Sequence, residues 1–276
     1  MWLVAVSVPL LPAIVLASRR YHVHLSSLCL RALGWVLRLL RRGGPEECVR
    51  STHSFVFSNC THGKVDSVLE TFDLYAEMHP SLSIGPEIGE VLDAVVKRVR
   101  PSRVLELGTH CGYSSVRLLR LLPPAGRLIT VEMDPLTAEL GEEVILVSGF
   151  KHHQFQVLTS SSAEVVPALR SHLEPDGREG FNLEPDGREG FNLVLMDHDP
   201  LLYLADLQAL EKEELLCRSG CSVLFIDRKR RAGGLRGILD HVRGRSDSCC
   251  SVRTELPSLL EVVYRKERAE GGGDGI

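Results

Sequence analysis

Past residue 85 the chain alternates between two kinds of hydrophobic pattern. Pro86 opens a segment whose apolar positions Ile88, Val91, Leu92, Val95, Val96 and Val99 recur at the steps of one helical face. Short runs rich in β-branched and aliphatic side chains then follow at 104–107, 128–131, 155–158, 193–196, 223–226 and 262–264. Helix-length segments separate most of these runs, so the pattern predicts an α/β fold with a mainly parallel sheet covered on both faces. Ligands of such a sheet sit at the carboxyl ends of its strands.

The beginning of the chain is patterned differently. No side chain from Met1 to Ala17 is charged, and the apolar stretch ends at Arg19-Arg20. A membrane span needs about 17–25 residues, so this one reaches the lower limit. Two readings stand: an uncleaved signal anchor over residues 1–18, or a signal peptide cut after Ala17, although the basic segment that precedes such peptides is missing. Six Arg and no acidic residue occupy residues 1–45, which predicts a cytosolic body under the positive-inside rule. Residues 19–64 read as a basic amphipathic linker and helix. Its Leu, Val and Trp35 positions between Arg31 and Arg38 suit either a helix along the headgroups or one packed on the domain. The expected organisation is completed by a folded domain over 65–267 and a disordered tail over 268–276. The membrane contact expected through residues 1–42 makes this a single-pass protein, placed in the endoplasmic reticulum with its folded domain in the cytosol.

Charge sharpens this division. The whole chain carries 32 basic and 36 acidic side chains, which gives no overall basic surface for nucleic acid. Without the six N-terminal Arg, the remainder stands at 26 against 36, an acidic body. Eight Cys show neither C-x-x-C spacing nor disulfide density, so reduced thiols in a cytosolic body are expected. Asn59-Cys60-Thr61 is a glycosylation sequon that matters only if this region faces the lumen. The segment LEPDGREGFN at 173–182 is copied without change at 183–192. Its Pro, Gly and acidic composition reads as a duplicated surface loop, because lengthening a loop costs little.

The chemistry concentrates at Val104-Leu105-Glu106-Leu107-Gly108-Thr109-His110-Cys111-Gly112-Tyr113-Ser114. A buried strand enters a Gly-bearing turn and then a helix beginning near Tyr113, where backbone can approach a ligand that a side chain would exclude. The next strand ends in Val131-Glu132-Met133-Asp134, and an acid after the second strand is placed to hold ribose hydroxyls in dinucleotide-type folds.

These motifs, with Met196-Asp197-His198 before Tyr203-Leu204, resemble the catechol O-methyltransferase family, and the apolar head is similar to its transmembrane O-methyltransferase branch. The resemblance covers roughly residues 65–265. It implies a seven-stranded, mostly parallel, Rossmann-like fold dependent on S-adenosylmethionine, with catechol-like phenols such as catecholamines as substrates. It further implies that Ile84, Gly85, Glu106, Gly108, His110, Tyr113, Ser114, Glu132, Met133, Ser162 and His198 contact the cofactor. Mg2+ would be held by Asp197 and Asp227, an ion that suits hard carboxylate oxygens.

The chain departs from the family pattern in its acceptor half. The family's general-base Lys aligns with Pro200, its third metal ligand with Arg228, and its substrate-orienting Glu falls in a shortened stretch where neither Glu255 nor Glu261 can be assigned. With Lys absent, His198 is the nearby side chain whose ordinary pKa suits proton acceptance. Two functions are therefore expected in competition: O-methyl transfer with His198 as catalytic residue, or a weakly active fold serving as a partner or trafficking factor for other membrane proteins. The transmembrane branch is associated with sensory hair cells and hearing, which is consistent with the second.

Overall fold

The protein is described by a computed structural model over residues 45–79, 83–173, 190–227, 235–245 and 250–265. All six expected runs form strands: β1 Arg103–Leu107, β2 Arg127–Glu132, β3 Phe155–Thr159, β4 Leu193–Met196 and β5 Cys221–Ile226, with the run at 262–264 lying inside Leu259–Tyr264. That last strand is β7, because Cys250–Leu256 adds β6 before it. β6 escapes the sequence pattern because Arg253 and Glu255 interrupt its apolar positions, as suits an edge strand. The seven strands run in the order β3-β2-β1-β4-β5-β7-β6, with β1 to β5 parallel and β7 antiparallel to both neighbours.

Alternation within the apolar runs builds two cores. Leu193 and Leu195 of β4 join one with Phe72, Leu92 and Ile145, whereas Val194 and Met196 join the other with Tyr203, Leu207 and Phe225. The helices covering the sheet are α1 Pro45–Asn59, α2 Val65–Met78, α3 Gly85–Val99, α4 Tyr113–Leu119, α5 Pro135–Val147, α6 Ser162–Val165, α7 Leu169–Leu173, α8 Tyr203–Lys212 and α9 Arg236–Arg243. The chain proceeds outward from β1 to β3, then returns to place β4 on the other side of β1. This reversal between β1 and β4 opens a crevice at their carboxyl ends.

Helix α1 corrects one expected boundary. It lies in the stretch assigned to a linker, yet Val49 and Val56 are buried in the same core as Phe72 and Ile145. His53 Nε2 also lies 2.8 Å from Glu143 Oε2 on α5. The folded unit accordingly begins at Pro45, ahead of position 65. The expected anchor, the basic stretch to residue 44, residues 174–189 of the duplicated loop, Arg228 and the tail lie outside the described residues. Among the described residues no helix is long and apolar enough to cross a membrane.

Glu261 takes a structural place. It is fully buried in mid-β7, where it accepts hydrogen bonds from Arg98, from Ser222 Oγ at 3.1 Å and from Thr254 Oγ1 at 3.3 Å. Its partner in register is Leu224, away from the sheet's carboxyl edge. Glu255 is exposed, 3.8 Å from Arg243.

Candidate active site

The turn after β1 is shaped first by chain packing. Gly108 has φ +100°, and a Cβ there would come within 2.7 Å of the Asp197 carbonyl oxygen at the end of β4. The close approach that glycine permits is therefore to β4 itself. Gly112, with φ +82°, crosses helix α5, where a Cβ would meet the Gly141 carbonyl oxygen at 2.9 Å. Between them His110 adopts φ +47° and is held at two points. Its N–H donates to Glu132 Oε2 at 3.0 Å, and its ring Nε2 lies 2.7 Å from the Asp197 carbonyl oxygen. The ends of β1, β2 and β4 are thus joined through one residue.

Glu132 stands at the end of β2 with its carboxylate oriented by backbone. Oε1 accepts from Met133 N–H at 3.0 Å and Asp134 N–H at 3.2 Å, and Oε2 accepts from His110. An ionised carboxylate has about four acceptor sites, so capacity remains for a ligand hydroxyl. Met133, next in the chain, is 72% exposed, an uncommon position for a large apolar side chain. Ser162 opens α6 just past β3, and Ile84 is buried at the start of α3, beside Gly85 at φ +75°. Tyr113 differs from the expected set in orientation. Its hydroxyl donates to Asp73 Oδ1 at 2.8 Å and accepts from Arg117 Nη1 at 2.8 Å, while its ring packs edge-on against Phe72. Its phenol therefore locks α4 to α2.

Glu106 is fully buried in β1. Oε2 accepts from Ser115 Oγ and from Thr130 Oγ1 at 2.7 Å, and Oε1 has no hydrogen-bond partner. Burial pushes its carboxyl up from the ordinary 4.5 to about 7. The hydroxyls of Ser114, Ser115 and Thr130 pull it back, and the nearby Asp197 charge adds to the rise.

Asp197 and Asp227 follow β4 and β5, both buried. Asp197 N–H donates to Leu107 O at 2.8 Å and Asp227 N–H to Ser258 O at 3.0 Å, which fixes their backbones, while Asp227 Oδ1 has no partner. Two buried carboxylates, one with an orphaned oxygen, fit a divalent cation that keeps its remaining positions for water and ligand. Among the described residues no cluster of three or more His, Cys, Asp or Glu could form a fuller cage. His198 Nε2 lies 2.7 Å from Asp206 Oδ2, and Nδ1 is buried without a partner. The imidazole stands edge-on to Tyr203, whose hydroxyl donates to Ile226 O at 2.6 Å. Pro200 lies in the turn before α8, followed by Leu201 and Leu202, which are exposed.

Comparison with known proteins gives the family. A family model described as O-methyltransferase matches residues 66–177. The transmembrane O-methyltransferase of Homo sapiens is 35% identical over 227 residues, covering 80% of this chain and 70% of that protein. The catechol O-methyltransferase of Mus musculus is 33% identical over 262 residues, covering 90% and 92%. The chain belongs to the O-methyltransferase family. Its fold is similar to the O-methyltransferase TomG from Streptomyces achromogenes, solved in complex with SAM, at a TM-score of 0.53 and 22% identity over 70% of this chain and 86% of that one. The seven-stranded sheet is accordingly the S-adenosylmethionine-dependent methyltransferase fold.

In this member of the O-methyltransferase family the carboxyl edge gathers Glu106, Gly108, His110, Glu132, Asp197, His198 and Asp227 around the β1/β4 reversal. Asp206, Thr130 and Ser115 complete the site and were not among the expected residues. Thr130 could have been found, since a hydroxyl inside an otherwise apolar strand needs a partner. Nothing local to Asp206 announces its contact with His198.

Proposed function

We propose that the chain is an O-methyltransferase that moves a methyl group from S-adenosylmethionine to a catechol-like phenol with the help of Mg2+. One observation carries the reading. Three buried polar side-chain atoms without a partner among the described residues, Glu106 Oε1, His198 Nδ1 and Asp227 Oδ1, lie at the carboxyl edge of β1, β4 and β5. Each can accept a proton donor or a cation, and leaving such groups buried and unmet is costly.

Glu132 accepts the ribose hydroxyls, and Met133 offers an apolar surface to the base. Asp197 and Asp227 hold the cation. When bound, the cofactor supplies the electrophilic methyl group, and the cation lowers the pKa of the acceptor hydroxyl. His198 takes that hydroxyl's proton at Nδ1, in place of the Lys that Pro200 replaces. Asp206 accepts the Nε2 hydrogen, which sets the tautomer and stabilises the charged imidazolium. Glu132→Ala should weaken S-adenosylmethionine binding about tenfold to a hundredfold, since a hydrogen bond to a charged group contributes about 1.5–3 kcal/mol. Calorimetry checks this, and equal affinity in the variant removes Glu132 from the site.

The same proposal places the protein in the endoplasmic reticulum membrane, anchored through residues 1–18, with the folded unit on the cytosolic side. Support comes from the uncharged N-terminal run followed by six Arg. Asn59 is exposed at the end of α1, so a lumenal unit would offer its sequon to glycosylation. The expected result is no endoglycosidase shift and full digestion of residues 45–276 by protease added outside sealed microsomes. A shift abolished by Asn59→Gln reverses the topology. A second reading, a weakly active fold acting as a partner of other membrane proteins, is favoured by Pro200 standing where the base would be.

A further inference from the structure

A cavity of about 310 Å³ opens beside the edge strand β3, lined in part by Arg127, Glu142, His152, Gln156 and His172. Arg127 begins β2 and Glu132 ends it, so the cavity and the cofactor turn lie at opposite ends of one strand, roughly 16 Å apart at ~3.3 Å per residue. Nothing in methyl transfer uses it.

The lining places one guanidinium and two imidazoles against a single carboxylate. The Arg127 side chain makes a single hydrogen bond, from Nη2 to Gln156 Oε1 at 3.2 Å, and its Nε is buried without a partner. Gln156 Nε2 in turn lies 3.4 Å from His172 Nδ1 on α7. On the other flank His152 Nδ1 lies 3.4 Å from Glu142 Oε1, the one carboxylate in the lining. A guanidinium N–H buried without an acceptor is an uncompensated cost, and it is relieved by a ligand that brings several anionic oxygens.

The geometry points to a binding site for the phosphate group of a small molecule, anchored by Arg127 and flanked by His152 and His172. The lining donors come from β2, from the loop before β3 and from α7, and a phosphate brings acceptor oxygens for all three. The volume is at the lower end of small-molecule pockets, about 300–1,000 Å³, and so admits a compact organic body beside the phosphate.

Calorimetry of the full chain with inorganic phosphate, at ionic strength held constant with chloride, tests the site. The expected result is saturable binding, weakened about tenfold or more in Arg127→Gln and severalfold in His172→Gln, with both variants melting like the original in phosphate-free buffer. Glycerol 3-phosphate should bind at least as tightly as phosphate. If Arg127→Gln does not fold, His172→Gln carries the test, and unchanged phosphate affinity in that variant overturns the site. No heat beyond that of chloride overturns it as well. So does binding confined to phosphatidic acid vesicles, because the ligand would then be a membrane surface.

Discussion

Replacing His198 with alanine should slow phenol methylation about 10²- to 10⁴-fold, the range lost with a positioned general base. The expectation rests on a ring that is fixed on one side and open on the other: Nε2 is bound to Asp206 at 2.7 Å, and buried Nδ1 has no partner. The pH profile separates this from a structural defect. In His198→Ala the rate should keep climbing with pH toward the ionisation of the phenol itself, near ~10, whereas with His198 present the base removes that dependence. Asp206→Asn should lower the rate in the same direction, because it no longer favours Nε2 protonation and the charged imidazolium. Pro200→Lys in the His198→Ala background should restore part of the loss. A profile that is merely scaled down, with its shape unchanged, means that His198 holds structure and another group takes the proton.

The second large effect concerns stability. Glu106 is buried, and its carboxyl is raised from 4.5 to about 7, chiefly by desolvation. Between these values the folded protein binds more protons than the unfolded chain, so stability falls as pH rises through the window. The favourable contribution of the protonated carboxyl is complete below 4.5 and lost above about 7, and a shift of this size corresponds to up to about 3 kcal/mol. Glu106→Gln cannot ionise. Denaturant unfolding from pH 4.5 to 8 should therefore show the original protein losing stability relative to the variant, which becomes the more stable of the two near pH 8. Parallel curves place the ionisation elsewhere.

Where local pattern and tertiary contact coincide, the sequence could be read directly. The helix Gly85–Val99 is legible because its apolar positions share one face, and β1 with its glycine turn because a buried parallel strand is a continuous apolar run. β6 is not, because Arg253 and Glu255 on an edge strand break that run. Helix α1 is not, since Val49 and Val56 are too few to mark a face until α5 covers them. Gly108 was legible as a special position but not for its reason, because the backbone it meets belongs to Asp197, far along the chain. Asp206 lies eight residues beyond His198, and only the turn through Pro200 into α8 brings the two together. The glycine turn and Glu132 follow from short motifs, whereas the His198–Asp206 contact depends on how a loop folds back.

Transfer of an isotopically labelled methyl group from S-adenosylmethionine to catechol, by the full chain with Mg2+, tests this function most directly. The expected result is a labelled monomethyl ether, lost on chelation and in Asp227→Asn. Cofactor binding by calorimetry with no labelled product at any pH contradicts it.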